Sequence, residues 1–159
     1  MKKVQKIFIV LLFLLSVKSV FANRFLEIKG PWLSSGFVMG MPVSGEGKKL
    51  NMGFEMSFVN LNDDFFWGVV GDWIYDSNRE SSRYLLGPEI GGYDEVFGFG
   101  VDGGWLYCEK KSGFGVRPFV SFNLFFVSLT TQAGFYHLEG KNWVEATFMI
   151  KISLPLHNF

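Results

Sequence analysis

Segment 49–58, KLNMGFEMSF, puts Leu50, Met52, Phe54, Met56 and Phe58 on one parity and Lys49, Asn51, Gly53, Glu55 and Ser57 on the other. Successive side chains of an extended chain point to opposite faces, so this alternation predicts a β-strand with one apolar and one polar face. The pattern recurs at segments 33–41, 65–75, 83–91, 97–107, 114–124 and 144–154. Beyond the first 22 residues no helical periodicity, domain linker or low-complexity stretch competes with it. The composition agrees: 19 Phe, 5 Trp and 5 Tyr suit pleated surfaces, and 19 Gly suit turns and kinks.

Polar stretches separate the strands. PVSGEGK, LNDD, SNRESS, the Asp94–Glu95 pair, EKKSG and EGKN all read as turns or loops. Between segments 114–124 and 129–138 no Gly or Pro marks a turn, yet the apolar parity slips between Phe126 and Leu129. A tight connection at Val127–Ser128 is expected, with a strand from Leu129 to Leu138; one long bent strand is the alternative. With the opening segment the tally is eight strands, or seven if that connection is absent.

Residues 1–22 read as a cleavable signal peptide: Lys2, Lys3 and Lys6 precede an apolar run from Ile7 to Leu15, and Val20 and Ala22 stand before the expected cut. The run is too short to span a bilayer as a helix. Residues 23–159 then form a single domain. Cys108, the lone cysteine, cannot form an internal disulfide, so a core or a membrane must hold the exported chain together. A formal net charge of zero, lower once the signal lysines are gone, argues against a nucleic-acid partner.

Which face is wet decides the architecture. A soluble sandwich or lipocalin-like barrel turns its apolar residues inwards, whereas an outer-membrane barrel turns them towards lipid. On the polar parity the charges are few and sit mid-strand among glycines: Glu55, Asp72, Glu89, Asp102, Arg117, Glu145 and Lys151. A water-facing sheet would carry more Lys, Glu and Thr and less Gly, so this face is expected to fill a narrow interior where charges of both signs pair. The apolar parity offers five or six consecutive positions, enough for a tilted membrane strand of roughly 9–11 residues. Trp32, Trp67, Tyr75, Tyr84, Tyr93, Trp105, Tyr107 and Trp143 fall near strand ends, where interfacial belts are expected.

Nearly all of segment 23–159 thus resembles the small eight-stranded outer-membrane barrels of the OmpA/OmpX type, by strand pattern and by the final aromatic, Phe159. The resemblance implies an all-β, antiparallel, up-and-down transmembrane barrel. It also implies that Phe159 addresses the chain to the barrel-assembly machinery. The outward positions of the last strand are even-numbered, so this role of Phe159 requires a bulge at Pro155 that resets the parity, or else Phe159 is not that signal.

Little in the chain points to catalysis or ligand chemistry. His137 and His157, the two histidines, lack the serine two residues away that lipid A deacylase barrels would show; Ser121 or Ser128 could reach His137 only across strands. The histidines and Cys108 have no metal-ligand spacing, and the glycine-rich stretches precede no helix that could cradle a phosphate. No catalytic residue, cofactor or metal is therefore expected. Glu89, Asp102 and Arg117, on three successive strands, could line a polar conduit, or belong to the ion-pair network that fills an eight-stranded barrel. The expectation is a monomeric outer-membrane barrel of structural or surface-interaction role, in contact with outer-membrane lipid. Its four outward connections, 44–48, 76–82, 109–113 and 138–142, are short. The alternatives are a soluble periplasmic barrel or sandwich holding an apolar ligand, and a lipid-modifying outer-membrane enzyme.

Overall fold

A computed structural model describes residues 29–44, 49–94, 96–124 and 126–156. Eight strands follow in chain order: β1 (Gly30–Ser44), β2 (Asn51–Asn62), β3 (Phe65–Asp76), β4 (Ser81–Tyr93), β5 (Phe97–Cys108), β6 (Lys111–Leu124), β7 (Val127–Leu138) and β8 (Lys141–Pro155). Each pairs antiparallel with its neighbour, and β1 pairs with β8, so the sheet closes into an up-and-down barrel. Closure leaves no strand edge unpaired, which an apolar surrounding demands because backbone groups there find no water.

The connections explain the registers. Glu109 and Lys110 join β5 to β6 with φ of 51° and 65°, and Glu139 and Gly140 join β7 to β8 with 44° and 80°. Positive φ at both central residues is the mark of the two-residue hairpin turn whose twist matches the strands it joins. The β6–β7 connection falls at positions 125–126, with Leu124 opposite Val127, so β7 starts two residues earlier than the sequence suggests. The parity slip is the trace of this two-residue turn; a turn rich in Phe offers no compositional signal.

The two faces segregate as the alternation requires. Phe54, Leu86, Phe99, Trp105, Phe114 and Ile152 stand exposed on the outside, while Val38, Glu55, Asp72, Arg117 and Glu145 are buried within. Three belt assignments are corrected: Trp32 and Trp143 lie on the inward parity and are buried, and Tyr93 shares that parity and packs on an interior cluster. Trp32 joins Val59, Phe66 and Phe119 in an interior cluster near the turn end, against which Tyr93 also packs. Trp143 joins Val70, Leu85, Leu106, Cys108, Tyr136 and Leu138 towards the loop end. Position near a strand end does not by itself select the outer face; parity does. Trp67, Tyr75, Tyr84, Trp105 and Tyr107 are outward and exposed.

Of the two alternatives for the chain end, the bulge at Pro155 is absent. Leu33↔Leu154 and Trp32↔Pro155 continue the β1–β8 register unbroken, and its shift lies at the opposite end, between Pro42 and Ser44. The signal segment 1–22, His157 and Phe159 lie outside the described residues.

Candidate functional site: the barrel interior and its mouth

The inward parity of all eight strands converges on one axis, and eight strands leave room for side chains rather than for a pore. Arg117 of β6 sits at the centre, fully buried. Its Nε donates to Asp102 Oδ1 of β5 at 2.5 Å, its Nη1 to Asp72 Oδ2 of β3, and its Nη2 lies 3.1 Å from Glu55 Oε2 of β2. Lys151 of β8 approaches Glu55 Oε1 closely and lies 3.8 Å from Glu89 Oε1 of β4. Six of the seven charges expected to face inwards thus meet in one contiguous group.

The seventh, Glu145 of β8, belongs to a second group with Arg83 of β4. Arg83 Nη1 and Nη2 donate to Glu145 Oε2 and Oε1 at 2.7 and 2.6 Å, a forked pair, and Asn51 Nδ2 adds a bond to Oε2 at 3.1 Å. Two parallel N–H···O bonds to one carboxylate give both strength and fixed geometry. A Cβ at Gly40 would collide with Glu145 Oε1, so the missing side chain on β1 leaves the space that this carboxylate occupies.

Sequence reasoning misses Arg83, Asn51 and Gln132. All three lie on the inward parity of their strands, so parity alone would have found them. Their contribution follows from the charge balance within these two groups: five carboxylates (Glu55, Asp72, Glu89, Asp102, Glu145) face three cations (Arg83, Arg117, Lys151). Neutral donors support the surplus acids. Gln132 Nε2 donates to Asp102 Oδ2 at 3.2 Å and the Leu85 N–H to Asp72 Oδ1 at 3.2 Å.

Above this layer the charges give way to stacked rings. The Arg83 guanidinium lies 4.7 Å from the centre of the Tyr136 ring, Tyr136 stacks on Trp143 at 5.1 Å, and Arg79 covers the other side of Trp143 at 4.0 Å. Cations over aromatic faces gain from the ring quadrupole. The stack has space because β6 and β7 carry glycines beneath it; a Cβ at Gly115 would meet Tyr136 Cδ1 at 2.7 Å. At the top, a cavity of about 290 Å³ opens between Pro42, Ser44, Asp76, Asn78, Arg79, Lys141, Asn142 and Trp143.

His137 faces outwards near the loop end, bonded to Asn142 Oδ1 at 2.6 Å and stacked on Phe114 at 5.2 Å. Ser121 and Ser128 lie at the turn end of β6 and β7, so neither approaches it. Among the described residues no group of His, Cys, Asp and Glu could hold a metal ion.

A closed eight-stranded antiparallel barrel with apolar side chains outside and ion pairs inside is the fold of the small outer-membrane barrels. Solved structures of that class match it. The attachment invasion locus protein Ail of Yersinia pestis superposes with a TM-score of 0.55 at 16% identity, covering 79% of this chain and 99% of Ail. Neisserial surface protein A, NspA, superposes with 0.60 at 12% identity, covering 80% and 97%. Ail in complex with the heparin analogue sucrose octasulfate gives 0.53 at 14%, covering 79% and 99%. At these identities the likeness is one of fold. No protein-family model matches the chain, and no curated protein sequence matches it.

Proposed function

We propose that this chain is an exported, monomeric outer-membrane barrel of structural and surface-interaction role, with a side-chain-filled interior and no catalytic site. One observation carries the reading: the apolar residues encircle the outside, and the charges are enclosed. Water would not tolerate that exterior. Exposed rings and aliphatic chains run around the barrel wall, from Phe54 and Phe58 on β2 to Phe99 and Trp105 on β5 and Ile150 and Ile152 on β8. This exceeds the few hundred Å² of apolar patch that soluble monomers carry. The same observation weighs against a soluble barrel holding an apolar ligand, whose cavity would have to be lined by the residues found here outside.

Segment 1–22 directs export and is cleaved after Ala22, and the barrel-assembly machinery inserts the chain; the unbroken register at Pro155 weighs against Phe159 as the residue it recognises. The connections at 45–50, 77–80, 109–110 and 139–140 then face outwards, and those at 63–64, 94–96 and 125–126 face the periplasm. The outward connections are short, which suits small ligands and membrane packing better than recognition of a large protein surface. Cell fractionation with a heat-modifiability gel tests the reading. Recovery in the outer-membrane fraction, with a band that shifts on boiling, is expected; recovery in periplasmic fluid would overturn it.

A further inference from the structure

The cavity at the loop-end mouth is walled by a fixed loop. In segment 77–80 the Ser77 N–H donates to Asn51 Oδ1 at 2.9 Å, the Ser77 hydroxyl to Leu50 O at 2.5 Å, and Asn78 exchanges two bonds with the Lys49 backbone at 3.0 and 3.3 Å. Arg79 is held from two sides, by Asp76 Oδ2 at 3.3 Å and by the Trp143 ring. Such pre-organisation removes much of the ordering cost of binding.

The hydrogen-bond inventory of the lining is lopsided. Its acceptors are engaged internally: Asp76 Oδ1 takes the N–H groups of Asn78 and Arg79, Asp76 Oδ2 takes Arg79 Nη1, Asn78 Oδ1 takes the Lys49 N–H, and Asn142 Oδ1 pairs with His137. Ser44 Oγ accepts the Val144 N–H at 3.0 Å, which leaves its O–H to donate. The remaining capacity is donor capacity: the Ser44 hydroxyl, Asn142 Nδ2, the other guanidinium N–H groups of Arg79, and the exposed Lys141 ammonium. Two cations against one carboxylate leave one positive charge. Pro42 and the edge of Trp143 supply apolar walls. A volume of about 290 Å³ exceeds what an inorganic anion fills and suits one six-membered sugar ring.

From this we infer that the mouth binds a single acidic sugar unit, a pyranose carrying one carboxylate or phosphate, with Arg79 and Lys141 on the anion and Ser44 and Asn142 on ring oxygens. The inference rests on the surface-interaction reading and names its ligand class. Carboxylated glycans and phosphorylated sugars of a surface glycolipid share this chemistry.

The test uses the mature barrel refolded in uncharged detergent at constant ionic strength, each sample shown to be folded by its heat-shifted band. Sodium glucuronate, glucose 1-phosphate and neutral glucose are titrated, and the indole N–H resonance of Trp143 is followed. One or both acids should give a saturable shift with a dissociation constant of order 1 mM. That binding should become about tenfold weaker in Lys141→Gln and in Arg79→Gln, each losing a charge-assisted bond. Glu109→Gln, outside the cavity, should leave it unchanged. Preference for glucuronate points to carboxylated glycans, and preference for the phosphate to phosphorylated sugars. An equal response to glucose, no saturable response to either acid, or unchanged binding in Lys141→Gln would each overturn the site. A heat-modifiable barrel that ignores both acids would do so while leaving the outer-membrane reading intact, since fractionation tests that separately.

Discussion

Arg117 divides its guanidinium among carboxylates from β2, β3 and β5, so its contribution to stability is that of a keystone charge rather than of one ion pair. Removing one partner of a buried ion pair typically costs about 3–5 kcal/mol, because the other partner stays buried without compensation. Arg117→Ala leaves Asp102 and Asp72 in that state. Its unfolding midpoint in urea, measured in detergent by the loss of the heat-shifted band, should fall well below that of the unsubstituted barrel. Replacing the acids as well, as Arg117→Met with Asp72→Asn and Asp102→Asn, should recover much of the loss, since neither aspartate position then carries a buried charge without its partner. A midpoint that is unmoved in Arg117→Ala would show that water or rearranged side chains satisfy the carboxylates, and that the network does not hold the wall together.

Strand β2 shows what an element owes to its pattern. Phe54 and Phe58 stand on its outer face, while Gly53, Glu55 and Ser57 face inwards, and one alternation runs from Asn51 to Val59. A charge at mid-bilayer on the outer face of a barrel costs about 2–4 kcal/mol for Arg, declining towards the interfaces. Phe54→Arg should therefore reduce the assembled, heat-shifted fraction, and Phe54→Leu should not. Equal assembly of the two variants would mean that the outer face of β2 does not meet lipid. Alternation of this kind makes the strands, their faces and the inward charges legible in the amino-acid sequence, because parity is local and period-two. What it does not carry is pairing across the barrel. Glu145 is linked to Arg83 from four strands away, and no spacing within β8 announces that partner. The β6–β7 turn escapes the sequence for a related reason: its geometry is specified by the register of Leu124 against Val127 rather than by turn-forming residues. Trp32 and Trp143 are the opposite case, since proximity to strand ends suggests an interfacial belt while their own parity already points inwards.

At the scale of the whole barrel the interior is layered, and the layers decide between a conduit and a filled core. Near the turn end Trp32, Val59, Phe66 and Phe119 close the lumen, with Phe66 and Phe119 stacked at 6.2 Å. The charged group of Arg117 and Lys151 occupies the middle, and Arg83, Tyr136 and Trp143 close the other side. An ion crossing this sequence would have to displace two aromatic layers, neither of which offers it a shell of oxygen ligands. In a planar bilayer the barrel should therefore show no steady ohmic conductance. Arg117→Ala should remain silent too, although it loosens the middle, because both ring layers stay in place. Truncating one ring layer along with the charge, as Trp32→Ala with Phe119→Ala and Arg117→Ala, leaves the Tyr136–Trp143 layer and should still block sustained current. Steady conductance in the unsubstituted barrel, or its appearance on removal of Arg117 alone, would make the charged layer a gate and assign the interior a transport role.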